Sequence, residues 1–404
     1  MKRSRKVEEE LRKSRPSKSK PKRKMRPLIE DEAGWKKHWW GMPQFSMDDK
    51  SAQYRAIINF VSKDDVEEFQ KATGIRLRGF SSKTLTTWYP DQKRLKPGMY
   101  YYTGEKTDSK YPICIPSKGR ADCQLTGKVL GKMGVHYRFF VEETEYDWYM
   151  EHLGKKHVVK MPFHDLGKGS IPARNYIWRW CKKRGHKRHW TVDDNISDFG
   201  RTNFNRRLIC YGGGIFRAME DFVDRYENVA MAGPHHRGFI VDRDKMRPIT
   251  WNSRVYSCIL LDTSMYPEFK WRGRYNEDTD LSLRLLKAGY CTLLFRALYM
   301  GKAATYSGGD ENKTGALKGG NTDNVYNTND RRLAFAESLQ KQHPDVVEVV
   351  WKYNRWHHQV NYSRFKRNKP VLKAGVVPVA EDNEYGMILT KRKKKRKLKI
   401  RKRK

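Results

Sequence analysis

No apolar run in these 404 residues approaches the roughly 20 needed to span a bilayer, and the first residues carry no hydrophobic stretch of the signal-peptide kind. Secretion and membrane insertion are therefore not expected, and the chain reads as cytoplasmic. Cysteine is scarce as well. The six residues Cys114, Cys123, Cys181, Cys210, Cys258 and Cys291 are scattered without C-x-x-C spacing, which speaks against a zinc ribbon or a disulfide framework and predicts reduced thiols. Internal repeats are absent. Acidic residues are in short supply: 46 Asp and Glu face 84 Lys and Arg, a net charge of +38. The two ends hold 22 of that surplus, with 13 basic and 3 acidic residues in 1–27 and 12 basic residues with none acidic in 391–404. Like-charged runs repel themselves and cannot collapse, so disordered basic tails are expected at 1–27 and 387–404. Such tails attract polyanions, nucleic acid foremost, or serve only solubility and localisation.

Between the tails there is length enough for one large α/β domain and something smaller. Trp35, Trp39 and Trp40 fall within six residues ahead of a Gly41–Pro43 break, either as an aromatic anchor or as a segment lying across the next module. Tyr54 to Val61 reads as a strand, Ser62 with Asp65 as a capping box, Val66 to Thr73 as a helix stopped by Gly74, and Thr84 to Tyr89 as a second strand. Residues 35–95 are thus expected to form a small α+β accessory module. From Tyr111 onward the strands YPICIP, HYRFFVEE and HVVKMP alternate with helical stretches such as Cys123–Met133 and Glu145–Leu153. That alternation predicts an α/β domain over 110–310 with a mainly parallel sheet flanked by helices, binding ligands at the carboxyl ends of its strands. A Gly/Asn/Thr-rich loop follows to about Thr328, then a helix from Asp330 to Gln342 inside a helical and aromatic-basic extension over 328–385.

Two acidic clusters stand at element boundaries. Asp193-Asp194-Asn195 closes the strand His189–Val192, where adjacent carboxylates suit a hard divalent cation or, equally, an ordinary turn. Glu277 and Asp278 open a helix with Leu281, Leu285 and Ala288 on one face, where acids are also favoured by capping and by the helix dipole. Asp198-Phe199-Gly200 imitates a kinase motif without the accompanying loops. Gly212–Gly214 and the pair His235–His236 read as turn and loop residues as readily as ligand contacts.

The order of these pieces resembles the GT-A fold of inverting nucleotide-sugar glycosyltransferases. That resemblance implies that Pro116, Ser117, Lys118, Gly119 and Arg120 lie near the nucleotide. Arg174 and Asn175 match an Ala-Arg-Asn element of the donor site. Asp193, Asp194 and Asn195 match the D-x-D motif that contacts ribose and holds a divalent metal, manganese or magnesium. Glu277 and Asp278 match the motif that supplies the general base. Two departures are visible: Asn195 replaces the last aspartate, and no histidine follows in Met300–Gly309, where many relatives supply a further ligand.

The segment Trp35–Pro90 resembles a module that accompanies DNA-modifying proteins in bacteriophage genomes. The whole chain is similar to the TET-associated glycosyltransferases of bacteriophages, which implies an enzyme in the cytoplasm of the bacterial host. Its implied reaction moves sugar from a nucleoside diphosphate sugar to a hydroxymethylated base in DNA. Lys352, Arg355, Trp356, His357 and His358 interleave cations with rings as nucleic-acid surfaces do, or else fold over the sheet. The alternatives are a transferase-like DNA binder without catalysis, and a glycosyltransferase acting on protein or glycan.

Overall fold

The computed structural model describes residues 34–391 with the exception of 51–53, 55, 82–83, 88–99, 105–107, 242–245, 274 and 304–330. The expected tail at 1–27, most of the tail at 387–404 and the glycine-rich loop lie outside the described residues. The chain divides into Met1–Trp39 and Trp40–Lys404. In the first unit, residues 34–38 form a turn in which the Trp39 N–H donates to the Trp35 carbonyl at 3.1 Å.

The second unit opens with a helix, Lys63–Thr73, capped at both ends. Ser62 Oγ accepts from the Asp65 N–H at 3.2 Å, the Asp65 carboxylate accepts from the Ser62 N–H at 2.7 Å, and Gly74 closes the helix at φ 68°. A short antiparallel hairpin follows, β1 (Arg78–Ser81) and β2 (Thr84–Thr86). The strand expected at Tyr54–Val61 is not formed. Ile57, Ile58 and Val61 are exposed, and no described strand pairs with them to supply the hydrogen bonds a strand requires.

Next in the chain come β3 (Tyr100–Thr103) and ten strands of one sheet. These are β4 (Ile113–Pro116), β5 (Arg138–Val141), β6 (Val158–Lys160), β7 (Arg188–Val192), β8 (Ile196–Asn203), β9 (Arg206–Ile209), β10 (Val229–His236), β11 (Ile249–Trp251), β12 (Cys258–Asp262) and β13 (Cys291–Lys302). Their order is β6-β5-β4-β7-β12-β10-β13-β8-β9, with β11 laid on β13. The sheet is mixed, which corrects the expectation of a mainly parallel one. β6, β5, β4 and β7 are parallel, as are β10 and β13, but β12 opposes both β7 and β10, and β8 opposes β13. The reason lies in the connections. A parallel pair needs a crossover of a dozen residues or more, whereas β8 and β9 are joined only by Phe204 and Asn205, both at positive φ as a tight hairpin turn demands.

All five residues of β7 are buried, as befits a strand covered on both faces. Against the sheet pack the helices Ile171–Lys183 and Glu277–Lys287, through Trp178, Leu281 and Leu285 with Ile259, Leu261 and Trp271. Each of these side chains contributes on the order of 1.5–3 kcal/mol on burial. The helix Arg331–Gln342 then leads to an antiparallel hairpin, β14 (Val347–Lys352) and β15 (Arg355–Val360), turned at Tyr353–Asn354. Beyond it the chain runs back along the unit. Leu372 bridges to Tyr226, Glu384 accepts from the Gln44 N–H at 2.8 Å, and β16 (Ile388–Lys391) pairs antiparallel with β3. Among the described residues no helix is long and apolar enough to cross a membrane.

Candidate active site

β4 and β7 are parallel neighbours, Ile113 opposite Trp190 and Cys114 opposite Thr191. Their carboxyl ends therefore deliver Ser117–Arg120 and Asp193–Asn195 side by side. The helix Ile171–Lys183 begins with Pro172 in its first turn and buries Arg174, Ile177, Trp178 and Cys181, a spacing of 3, 1 and 3 that defines one helical face. Arg174 is thereby aimed at the end of β7. The helix starting at Glu277 and the last residue of β13, Lys302, complete the cluster.

Asp193 lies between two cations. Its Oδ1 accepts from Arg174 Nη2 at 2.8 Å and its Oδ2 from Lys302 Nζ at 2.7 Å. Burial alone would raise this carboxyl, but Lys302 and Arg174 overcome it and hold it at about 2. Asp194 is buried and equally committed: Oδ1 accepts from Arg120 Nη1, and Oδ2 accepts from Ser117 Oγ at 2.7 Å. Burial raises its carboxyl despite Arg120 and Ser117. Ser117 Oγ also meets Tyr149 Oη at 2.7 Å, and Tyr149 Oη accepts from the Arg120 N–H at 3.0 Å. Asn195 is buried, with its Oδ1 unpartnered among the described residues.

The remaining residues expected near the donor separate into two groups. Arg174 stays central, stacking over Trp271 at 4.8 Å and standing 3.7 Å from Glu277, so it joins one acid pair to the other. Ser117 and Arg120 turn inward to pin Asp194. Pro116 ends β4. Lys118 is spent on Glu142 and Asp165. Gly119, at φ 66°, takes a backbone conformation that side chains rarely adopt, and its N–H donates to both Glu145 oxygens at 2.8 and 3.1 Å. Asn175 brackets the neighbouring chain: its amide donates to the Trp271 carbonyl at 2.9 Å and accepts from the Trp271 N–H at 2.8 Å, with one N–H and one lone pair beyond these two bonds.

Glu277 accepts from Ser170 Oγ at 3.2 Å, and burial raises its carboxyl against the pull of Arg174. Asp278 Oδ1 accepts from the Thr279 N–H at 2.6 Å and from Thr279 Oγ1 at 3.2 Å, while Oδ2 has no hydrogen-bond partner among the described residues. Neither acid occupies the N-cap of its helix. That position belongs to Asn276, whose amide donates instead to the Phe335 carbonyl at 3.0 Å.

The aromatic-basic stretch forms the β14–β15 hairpin. Trp351 and Trp356 meet edge to face at 5.0 Å, Arg355 Nε donates to His357 Nε2 at 3.0 Å, and Lys352 bonds Gln359. Tyr353 at the turn is 88% exposed. His358 is pushed down to about 4, by burial first and then by Arg254, with Asp278 close enough to pull the other way. The hairpin and the acid pair are thus electrical neighbours.

Lys302 was not foreseen. Its one signal in the sequence is its place within Met300–Gly309, the stretch that carries no histidine. With it in position the expected divalent cation does not fit: all four oxygens of Asp193 and Asp194 are engaged by cations or a hydroxyl, and the one unengaged acceptor of the motif is the neutral Asn195 Oδ1. Among the described residues no three of His, Cys, Asp or Glu stand together as a metal site.

A family model described as TET-Associated Glycosyltransferase matches residues 111–310. No curated protein matches the chain. One solved structure that matches is that of a candidate nucleotide-diphospho-sugar transferase from Desulfovibrio desulfuricans G20. It is 12% identical, with 48% of this chain and 82% of that chain covered and a TM-score of 0.31.

Proposed function

The domain over residues 111–310 belongs to the TET-associated glycosyltransferase family, and from that premise we propose that the chain moves a sugar from a nucleoside diphosphate sugar to the hydroxymethyl group of a modified base in DNA. The observation that carries this reading is the position of Arg174, which contacts Asp193 at 2.8 Å and stands 3.7 Å from Glu277. One buried guanidinium thus links a cation-rich end suited to a diphosphate with an acid pair suited to proton transfer.

In this reading the bond between the anomeric carbon and the diphosphate breaks, and its electron pair leaves with the diphosphate, whose growing charge Arg174 faces. The acceptor oxygen bonds to the anomeric carbon from the opposite side, and its proton passes to the open oxygen of Asp278, giving inversion. A hydroxymethyl group inside a duplex must first leave the stack. Support for a DNA acceptor comes from the exposed rings of Trp351 and Tyr353 beside Lys352 and Arg355, from the electrostatic proximity of His358 to Asp278, and from the +38 net charge.

Mass spectrometry of nucleosides from hydroxymethylated DNA, incubated with the protein and a panel of nucleotide sugars, tests the reading. A glycosylated nucleoside is the expected product. Turnover of the donor without a DNA product would move the acceptor to protein or glycan. DNA retention in a shift assay without any turnover would make the chain a non-catalytic binder.

A further inference from the structure

We propose that Lys302 is the resident cation of the donor site: its ammonium takes the charge developing on the departing diphosphate, so that transfer proceeds without a divalent metal. This rests on the reading of the Asp193 cluster as the donor site and names the chemistry that serves it.

Three observations carry the inference. The first is that every oxygen of the two carboxylates already faces a cation or a hydroxyl. A divalent ion on Asp193 would stand against Lys302 at 2.7 Å and Arg174 at 2.8 Å from that carboxylate, and one on Asp194 against Arg120 and Ser117. Magnesium asks for near-octahedral oxygen ligands, and here an ammonium and a guanidinium stand in their way. The second is the charge. Lys302 and Arg174 together bring two positive charges to Asp193, the charge a divalent ion there would supply, before Glu277, 3.7 Å from Arg174, is counted.

The third observation is that both cations keep a donor in reserve. An ammonium has three protons, and Lys302 places two, on Asp193 Oδ2 and on Ser257 Oγ at 3.0 Å. Arg174 is 5% exposed, yet its Nη1 has no hydrogen-bond partner among the described residues. A buried guanidinium nitrogen without a partner is unfavourable unless an anion meets it. Lys302 is also held in place. It ends a 12-residue strand, sits opposite Ile196 of β8, and is followed by Ala303, whose N–H donates to the Asn195 carbonyl at 2.9 Å. Its ammonium is therefore preorganised, as a charge-stabilising group must be.

Pyrophosphate stands in for the diphosphate in the test. Titration calorimetry of the full chain in EDTA should show pyrophosphate binding that added manganese improves by less than about twofold. Lys302→Met should weaken that binding by about tenfold or more, the loss of one charge-assisted contact, whereas Lys302→Arg should stay within about threefold of wild type. Melting curves accompany both variants; should Lys302→Met fail to fold, the wild-type titrations with and without manganese decide alone. Pyrophosphate binding only in the presence of manganese, or manganese bound tightly by the wild-type chain in paramagnetic resonance, would overturn the proposal. In the nucleoside assay, product in EDTA supports it, and product only with added metal overturns it while leaving the transferase reading intact. Absence of product under both conditions, with pyrophosphate bound in EDTA, would instead remove the transferase reading and leave an anion site built on Lys302.

Discussion

The pairs Asp193-Asp194 and Glu277-Asp278 are alike in sequence and opposite in surroundings. In the first, Arg174, Lys302, Arg120 and Ser117 occupy all four carboxylate oxygens. In the second, the hydrogen-bond partners among the described residues are hydroxyls and a backbone N–H, Arg174 stands 3.7 Å from Glu277, and Asp278 keeps an oxygen with no described partner. A carboxylate clamped by cations is a poor proton acceptor but fixes those cations in place. A carboxylate with an open oxygen can take a proton from whatever hydroxyl is brought to it. The same residue type thus fills two offices, assigned by its neighbours.

The largest effect that would break this comparison is on stability. Asp194→Ala removes the buried carboxylate that Arg120 and Ser117 hold, a broken buried pair worth about 3–5 kcal/mol, so the melting temperature should fall sharply. A variant that melts like the wild type would mean Asp194 is not pinned and is open to a ligand after all. The next effect is on turnover. Asp278→Asn retains the shape of the side chain but removes the proton acceptor, and acceptor-dependent turnover should drop by roughly a hundredfold or more with pyrophosphate affinity and melting temperature unchanged. A fully active variant would refute the base, and a collapse in melting temperature would return Asp278 to a structural role.

The smallest effect sharpens the contrast through pH. Asp193 is held at about 2 against an ordinary 3.8, so its contribution to stability is complete above about pH 4 and disappears as the pH falls toward 2. The amount is about 2 kcal/mol. The gap in unfolding midpoint between wild type and Asp193→Asn should therefore narrow over that interval, and a gap that stays constant would show that Asp193 is not held by its cations.

How much of this was legible in the sequence depended on distance along the chain. The strand ending at Pro116, the buried strand before Asp193 and the capping box at Ser62 are local patterns, and the structure contains them. The adjacency of Ser117 and Asp194 follows from β4 and β7 being parallel neighbours, which alternation of strands and helices suggests. Lys302 could not be read in the same way. It lies 109 residues from Asp193, and it arrives there because β13 continues past β10 to pair with β8, a register no single segment encodes. The two-residue turn at Phe204–Asn205 has no glycine to announce it, so the antiparallel β8–β9 hairpin carries no strong local signal.

The return of the chain along its own first segment has a consequence for the order of events during synthesis. Gln44 and Glu384 are 340 residues apart, yet the Gln44 N–H donates to the Glu384 carboxylate, the Asn383 N–H to the Met42 carbonyl, and Arg201 to both Glu384 and the Gln44 carbonyl. At about 5–20 residues per second, a ribosome that has made Gln44 needs roughly 20–70 s more to reach Glu384. Throughout that interval the strip around Gln44 has no Glu384 to meet. The sheet can assemble meanwhile, and the clasp cannot close before Glu384 is made.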